Sequence, residues 1–310
     1  MSVLLVTDEA FLGHDTGPGH PERIERIRSV VAALDDDAFS SLLRRSAIDA
    51  DLAQMAAPHS EDYVEAVLDA EPESGYRHID PDTVMSPGTG DAIRRGAGAL
   101  VLAVDAVAEG EASSAFCAVR PPGHHAERRR PMGFCFVNNV AVAAFHARAA
   151  HGYERIAVID FDVHHGNGTQ DIFWDDPGLF FASTHQYPHY PGTGAADERG
   201  AHNNIVNVPL PPGTDGGGFR KAFEREVLSA VDTFAPDFVL ISAGFDAHKD
   251  DPLSQMGLEE DDFAWATRQI VTLAQRHADG RVVSTLEGGY NLTALGRSVA
   301  AHVTALMQAT

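Results

Sequence analysis

The stretch RIAVIDFDVHHGNGT, residues 155–169, indicates the fold class of this 310-residue chain. Its first half, Ile156–Phe161, is apolar and partly β-branched, which is typical of a strand buried on both faces of a parallel sheet. Four polar side chains lie within the six positions that begin near the end of this segment: Asp160, Asp162, His164 and His165. Because burying such groups without partners is costly, the pattern indicates that other polar groups or an ion face them.

The rest of the chain alternates between strand-like and helix-like patterns. Six further segments have strand character: Val3–Val6, Ala115–Val119, Leu179–Ser183, Ile205–Val208, Phe238–Ser242 and Val282–Leu286. Apolar residues recurring at three and four positions predict six helices: Glu22–Leu34, Asp91–Glu109, Asn139–Ala150, Gly218–Phe234, Glu259–Ala278 and Leu292–Gln308. This alternation predicts an α/β fold with a mostly parallel sheet covered by helices on both faces. No repeat or linker interrupts it, so residues 1–310 are predicted to form a single domain.

Net charge, cysteine count and the lengths of the apolar stretches argue against several classes of protein. The net charge of −22 argues against direct binding of nucleic acid and favours cationic substrates. It fits either an ordinary acidic, soluble composition or a salt-adapted host. Two cysteines, Cys117 and Cys135, are too few for a disulfide framework. The N-terminus lacks a basic signal-peptide region, and the longest apolar stretch, residues 98–108, is too short to span a bilayer. We therefore expect a cytoplasmic protein with no membrane partner.

Polar clusters directly follow five of the predicted strands. They are RPPGHH (120–125), DFDVHH (160–165), THQY (184–187), AGFD (243–246) and EGGY (287–290). Ligands of open α/β sheets bind at the carboxyl ends of the strands. The five loops are therefore expected to bring eight side chains to one rim: His124, His125, Asp160, Asp162, His164, His185, Asp246 and Tyr290.

A metal would explain this convergence. Asp162 and His164 are two positions apart, and side chains so spaced point to the same side of an extended chain. Asp246, which follows another strand, is the best third ligand for a site with an open fourth position, as in catalytic zinc sites. The alternative is that Asp162 and His164 are solvent-exposed loop residues. The isolated D-x-H pair would favour that alternative, whereas the other strand ends favour the metal.

Seven motifs, in the same order, resemble those of the zinc-dependent histone deacetylase superfamily. They are HPER (20–23), RPPGHHA (120–126), GFCFVNN (133–139), DFDVHHGNGT (160–169), YPGTG (190–194), AGFDAHKDDPL (243–253) and LEGGYNL (286–292). The LEGGYN ending and Asn167 are more similar to the second class, with its bacterial deacetylases and acetylpolyamine amidohydrolases. The resemblance implies the three-layer α/β/α arginase-deacetylase fold, with an eight-stranded sheet.

The resemblance also implies roles for individual residues. It gives Asp162, His164 and Asp246 as zinc ligands, His124 and His125 as a tandem histidine pair, Asp160 and Asn167 as the partners behind them, and Tyr290 as the catalytic tyrosine. Many first-class members have an aspartate where this chain has Asn167. A neutral amide stabilises imidazolium less than a carboxylate does, so we expect His125 to be the general base and His124 the protonated partner.

Further positions match the substrate tunnel and the cation sites of the family. The tunnel positions are Gly133, Phe134 and Tyr190 as walls, Leu253 at the gate, Gly288 and Gly289 beside the catalytic tyrosine, Asp82 at the rim and Arg26 beneath the site. Core packing is the alternative for Phe134, and a surface position is the alternative for Arg26. For Gly288, Gly289 and Tyr290 the alternative is a turn after a strand with a surface tyrosine. One K⁺ site would use the side chains of Asp160 and Ser183, with carbonyls of residues 160, 162, 164 and Thr184. A second would use carbonyls of Phe173, Asp176, Leu179 and Asn204.

The expected function is hydrolysis of the acyl amide of N-acyl-lysine side chains with one Zn²⁺ per chain. Acetylated polyamines are the alternative substrates. Two other classes are less consistent with the residues. A non-catalytic zinc protein would not need both histidines and Tyr290. A di-manganese ureohydrolase needs a further carboxylate, as in D-x-H-x-D, where this chain has Gly166. The expected partners are an N-acyl-lysine peptide or protein, or an acetylated polyamine, with a homo-oligomer as a further possibility.

Overall fold

A computed structural model of the chain describes residues 2–308; the ends of the predicted domain, Met1 and residues 309–310, lie outside the described residues. The described part has ten strands: β1 (Val3–Thr7), β2 (Leu43–Ser46), β3 (Arg77–His78), β4 (Val84–Met85), β5 (Ser114–Cys117), β6 (Ile156–Asp160), β7 (Leu179–Gln186), β8 (Ile205–Leu210), β9 (Phe238–Ala243) and β10 (Val282–Leu286). It also has ten α-helices: α1 (Glu25–Leu34), α2 (Leu52–Ala56), α3 (Glu61–Leu68), α4 (Thr89–Ala108), α5 (Asn139–His151), α6 (Asn167–Phe173), α7 (Gly216–Ala222), α8 (Ser229–Phe234), α9 (Glu260–His277) and α10 (Leu292–Gln308).

Eight strands form one sheet in the order β2-β1-β5-β10-β9-β6-β7-β8. Every neighbouring pair in this sheet is parallel, which confirms the predicted α/β class and parallel sheet. The central strands are buried along their whole length because helices cover both faces. Strands β3 and β4 form a separate antiparallel pair.

The helices pack in two groups. Helix α10 packs between α1 and α9 on one face of the sheet, and α4 packs against α5 on the other. The layers are therefore helix, sheet and helix. Within residues 2–308, no helix combines the length and the apolar character needed to cross a membrane.

One strand of the sheet was not predicted from the sequence, and one predicted helix consists of three consecutive helical segments. Strand β2 has the sequence LRRS with all four residues exposed, so it lacks the apolar run that identifies the other strands. The helix predicted over 218–234 begins at Gly216 and contains a π-helical segment, Phe223–Leu228, between α7 and α8. Strand β7 extends to Gln186, three residues past its predicted end, because its last residues pair with β8.

Candidate active site

A cavity of about 220 Å³ opens at the carboxyl edge of the large sheet. It is lined by Asp82, His125, Gly133, Phe134, His164, His189, Tyr190, Leu253 and Tyr290. The loops that follow β5, β6, β7, β9 and β10 therefore meet here, as the strand-end pattern predicts. His189 was not singled out from the sequence; its ring stacks on that of His164, with 4.9 Å between the centroids.

Two carboxylates and one imidazole converge beneath this cavity. The Nδ1 atom of His164 lies 3.2 Å from Oδ1 of Asp162 and 3.1 Å from Oδ2 of Asp246. One ligand atom from each of the three residues falls within 4.8 Å of the others, and all three residues are buried. The second oxygens are fixed by backbone N–H groups, since Gly288 donates to Asp162 and Val163 donates to Asp246, each at 2.8 Å. These backbone N–H groups thus fix the orientation of both carboxylates.

A glycine makes room for this arrangement. A Cβ atom at Gly288 would lie 2.0 Å from Oδ2 of Asp246 and 2.5 Å from Oδ2 of Asp162. No side chain fits at those distances, so position 288 requires glycine for the backbone to approach the carboxylates. This close approach explains why a glycine stands at position 288, two residues before Tyr290.

The charges of the three residues suit a divalent cation. Burial lowers the pKa of His164, but its hydrogen bonds to Asp162 and Asp246 outweigh that effect and raise the pKa to about 10. Burial raises the pKa of Asp246, and the nearby charge of Asp162 raises it further. The two buried carboxylates therefore require a positive charge between them, either a proton on His164 or a metal ion. One imidazole nitrogen and two carboxylate oxygens form a donor set that suits Zn²⁺.

The tandem histidines differ in their environment. Nδ1 of His124 lies 2.9 Å from Oδ2 of Asp160. Burial lowers the pKa of His124, but the charges of Asp160, Asp162 and Glu287 outweigh it and raise the pKa well above its usual value. Burial lowers the pKa of His125, and the neighbouring charges of His124 and His164 lower it further. We therefore describe His124 as the cationic and His125 as the neutral histidine.

Residues 20–306 match the family described as the histone deacetylase domain. The chain belongs to the histone deacetylase family. It is 39% identical over 294 residues to a probable deacetylase of Archaeoglobus fulgidus, covering 93% of this chain and 81% of that protein. It is 38% identical over 307 residues to a histone deacetylase-like amidohydrolase of Pseudomonas aeruginosa, covering 92% and 80%. The crystal structure of the HDA15 HD domain superposes with a TM-score of 0.94 at 34% identity, covering 99% of this chain and 89% of that chain.

These similarities confirm the predicted arginase-deacetylase fold. They also support hydrolase activity of the deacetylase type, because the relatives carry deacetylase and amidohydrolase names. The family membership is consistent with a metal cofactor at the Asp162–His164–Asp246 cluster.

In this deacetylase, Asn167 fixes the tautomer of His125. The amide nitrogen of Asn167 donates to the carboxylate of Glu127 at 2.7 Å, which turns the amide oxygen towards Nδ1 of His125 at 2.8 Å. Because that oxygen can only accept, Nδ1 of His125 carries the proton and Nε2 has the free lone pair. Nε2 can therefore accept a proton. Glu127 was missed in the sequence, although it directly follows the RPPGHHA motif.

Tyr290 lies in the cavity wall above a buried arginine. The guanidinium carbon of Arg26 is 4.9 Å from the centroid of the Tyr290 ring, and Nε of Arg26 donates to the carbonyl of Gly289 at 2.7 Å. Arg26 is fully buried, so the alternative of a surface helix residue is excluded. Burial raises the pKa of Tyr290 well above its usual value, so the hydroxyl stays protonated and can donate.

Two buried acids, Glu287 and Asp251, hold the loops of the site together and were missed as functional residues. Glu287 accepts hydrogen bonds from the backbone of Gly123 at 2.7 Å and of His124 at 3.1 Å. Asp251 accepts from the backbone of Tyr290 at 2.6 Å, and its other oxygen accepts from Leu253 at 2.9 Å. The only sequence signal for either acid is its position inside a motif, EGGY or AGFDAHKDDPL.

The remaining rim and cation positions have specific contacts. Asp82 accepts a hydrogen bond from the backbone of Gly133 at 3.2 Å. At the first predicted K⁺ site, Oγ of Ser183 lies 2.9 Å from Nδ1 of His185. Oγ1 of Thr184 is buried there without a hydrogen-bond partner in the described part of the chain. Asp160 is buried; burial raises its pKa, and the charge of the adjacent His124 opposes that rise.

At the second predicted K⁺ site, an amide nitrogen occupies the point where three carbonyls converge. Nδ2 of Asn204 donates to the carbonyls of Phe173 at 2.9 Å, Asp176 at 3.2 Å and Leu179 at 2.8 Å. The backbone carbonyl of Asn204, the fourth predicted ligand, instead accepts from the backbone of Phe181 at 3.0 Å. The three carbonyls thus have a donor from the chain itself.

The first prediction concerns Asn167. Asn167→Asp should raise the pKa of His125 by about one unit, because a carboxylate stabilises imidazolium more than an amide does. His125 must be neutral to accept a proton, so activity is lost as the pH falls through its pKa. The acidic limb of the kcat/KM profile should therefore move to higher pH.

The control is the same substitution combined with Glu127→Gln. This pair removes the repulsion between the new aspartate and Glu127, which would otherwise face each other across a 2.7 Å contact. An unchanged acidic limb in the folded double variant would contradict the role of Asn167.

Proposed function

We propose that this chain is a zinc-dependent deacetylase that hydrolyses the acetyl amide of N-acetyl-lysine side chains in peptides or proteins. The observation that carries the proposal is the convergence of Asp162, His164 and Asp246 beneath a cavity that is also lined by His125 and Tyr290. A metal-ligand set, a neutral histidine and a protonated tyrosine are the groups that hydrolysis of an amide needs.

Asp162, His164 and Asp246 would hold the zinc ion. When bound, Zn²⁺ supplies Lewis-acid polarisation of the acyl carbonyl and lowers the pKa of water. Nε2 of His125 accepts the proton of the attacking water and then donates it to the leaving amine. The hydroxyl of Tyr290 donates a hydrogen bond to the developing oxyanion.

The cavity walls suit a long, unbranched chain. The ring of Phe134 meets that of Tyr290 edge to face, with 5.9 Å between centroids, and the ring of Tyr190 meets that of His125 at 5.2 Å. Aromatic walls contact the methylene groups of a lysine side chain and exclude water from the amide. Tyr190, 38% exposed, stands where such a chain would enter.

The residues at the mouth lead to the second prediction, on substrate choice. Leu253 lines the cavity and offers no charge to the distal ammonium of a polyamine, but its side chain can contact a peptide. The opposing effect is the net charge of −22, whose attraction is screened beyond about 8 Å at physiological salt. We expect kcat/KM for N-acetyl-lysine peptides to exceed that for N8-acetylspermidine at about 0.15 M salt.

The matched control is Leu253→Glu, which adds a carboxylate at the mouth and should increase kcat/KM for the polyamine. A preference of the unaltered enzyme for N8-acetylspermidine that persists as salt is raised would overturn the choice of peptide substrate. It would instead support the alternative, an acetylpolyamine amidohydrolase. Inactivity towards acetyl-lysine peptides, acetylspermidine and longer acyl-lysines would overturn the deacetylase proposal itself.

The other predictions, about partners and location, rest on the sequence. The net charge of −22 supports the absence of direct nucleic-acid binding. Cys117 and Cys135 are both buried, and the cytoplasmic location stays a prediction from the sequence. K⁺ binding and a homo-oligomer stay predictions.

A further inference from the structure

A second cluster of metal-binding side chains lies between helices α4 and α5. Asp105 is on α4, and His146 and His151 are on α5. Nε2 of His146 and Nε2 of His151 each lie 2.7 Å from the same oxygen, Oδ1 of Asp105. Among residues 2–308, the ligand atoms of three His, Cys, Asp or Glu side chains come within 4.8 Å of one another in two places. These are this cluster and the Asp162–His164–Asp246 set.

The three side chains are partly shielded from water but remain accessible. Their side chains are 13% exposed in His146, 18% in His151 and 36% in Asp105. An ion can therefore reach the cluster from solvent, and the low exposure of both imidazoles strengthens electrostatic interactions there. The nearby basic residue Arg148 is paired with Asp176 and so its charge is already compensated.

We propose that Asp105, His146 and His151 form a second site for a divalent transition metal of the Zn²⁺ type. Two imidazole nitrogens and one carboxylate oxygen are ligands that such ions prefer. Two neutral histidines and one carboxylate carry a charge of −1, which a divalent cation converts to +1. The net charge of −22 on the chain favours the approach of any cation.

The geometry needs only a small adjustment to hold an ion. A nitrogen and an oxygen each bound to Zn²⁺ at tetrahedral angles are separated by about 3.3 Å. The observed separations are 2.7 Å, so each ring must move away from the carboxylate oxygen by about 0.6 Å, the difference between the two values. Metal binding through Nε2 also moves the ring proton to Nδ1. A bound ion would join α4 to α5, on residues that take no part in the proposed chemistry.

The proposal is tested by the zinc content of the full-length protein. Protein stripped of metal is equilibrated with Zn²⁺ alone, and bound zinc is measured by elemental analysis and by calorimetric titration. The double variant His146→Gln/His151→Gln should bind one equivalent fewer than the unaltered chain. It should keep its deacetylase activity, and it should lose the part of the Zn²⁺-dependent rise in Tm that comes from this site.

The matched control is His277→Gln. His277 is also a partly exposed histidine bonded to an aspartate, at 2.8 Å from Asp232, but its neighbour there is Arg276 instead of a second histidine. This variant should keep every equivalent of zinc. Equal zinc content in the double variant and the unaltered chain would overturn the proposal. Because the comparison counts the equivalent lost, it is independent of whether Asp162, His164 and Asp246 bind zinc.

Discussion

Replacing Asp246 by alanine should remove the metal from the Asp162–His164–Asp246 site and abolish deacetylase activity together. Three protein ligands are few, and the variant keeps only two, with His164 paired to Asp162 alone. The loss in kcat/KM should exceed about 10²-fold, since residues that merely support metal ligands already reach that scale. Zinc content and kcat/KM are measured on the same preparations.

Zinc content is best measured with Asp246→Ala introduced into the His146→Gln/His151→Gln variant, so that only the Asp162–His164–Asp246 site contributes to it. Asp250→Ala is the matched control, because Asp250 is an exposed aspartate in the same loop. It should retain both zinc and activity. Full zinc content in Asp246→Ala would show that a different residue supplies the third ligand.

Replacing His125 by alanine should lower kcat by about 10²–10⁴-fold, the usual effect of losing a positioned acid-base group. Zinc should stay bound, because His125 bonds Asn167 and is not one of the three residues of the metal cluster. The acidic limb of the pH profile should also change, since the group that titrates there is gone. Elemental analysis and kcat across pH test both expectations.

His124 provides the comparison for that result. It is held cationic by Asp160, Asp162 and Glu287, so it is a poor proton acceptor. If His125→Ala retained near-normal turnover, the base would have to be another group and the assignment of the neutral histidine would be wrong. Partial recovery of activity by added imidazole in His125→Ala would identify a missing base as the defect.

The buried part of the fold was predictable from the sequence because its strands are nearly continuous apolar runs. Strands β6, β9 and β10 lie within one residue of their predicted limits. Strand β2 could not be found in the same way, since LRRS forms an exposed edge and is defined only by its pairing with β1. The π-helical segment Phe223–Leu228 likewise follows from hydrogen bonds that leave no distinct apolar pattern.

The side chains of the site were likewise predictable in part. Asp162, His164 and Asp246 directly follow strands, so topology alone predicts that they meet. Glu127 and Glu287 act through contacts that sequence spacing does not show: a side-chain amide in one case and backbone N–H groups in the other. The position of Arg26 was ambiguous for a related reason, because two of its three partners, Glu287 and Gly289, are more than 260 positions away and only Glu22 is near in sequence.

The carboxylate of Asp251 couples the position of a residue at the cavity mouth to the position of Tyr290. It fastens the backbone of Leu253, at the mouth, to the backbone of Tyr290 and Asn291. A change that shifts the backbone of residue 253 is transmitted through Asp251 to the backbone of Tyr290, whereas replacement of the Leu253 side chain alone leaves these hydrogen bonds in place. A substitution that moves the backbone at position 253 is therefore expected to lower turnover as well as to change the preferred amine.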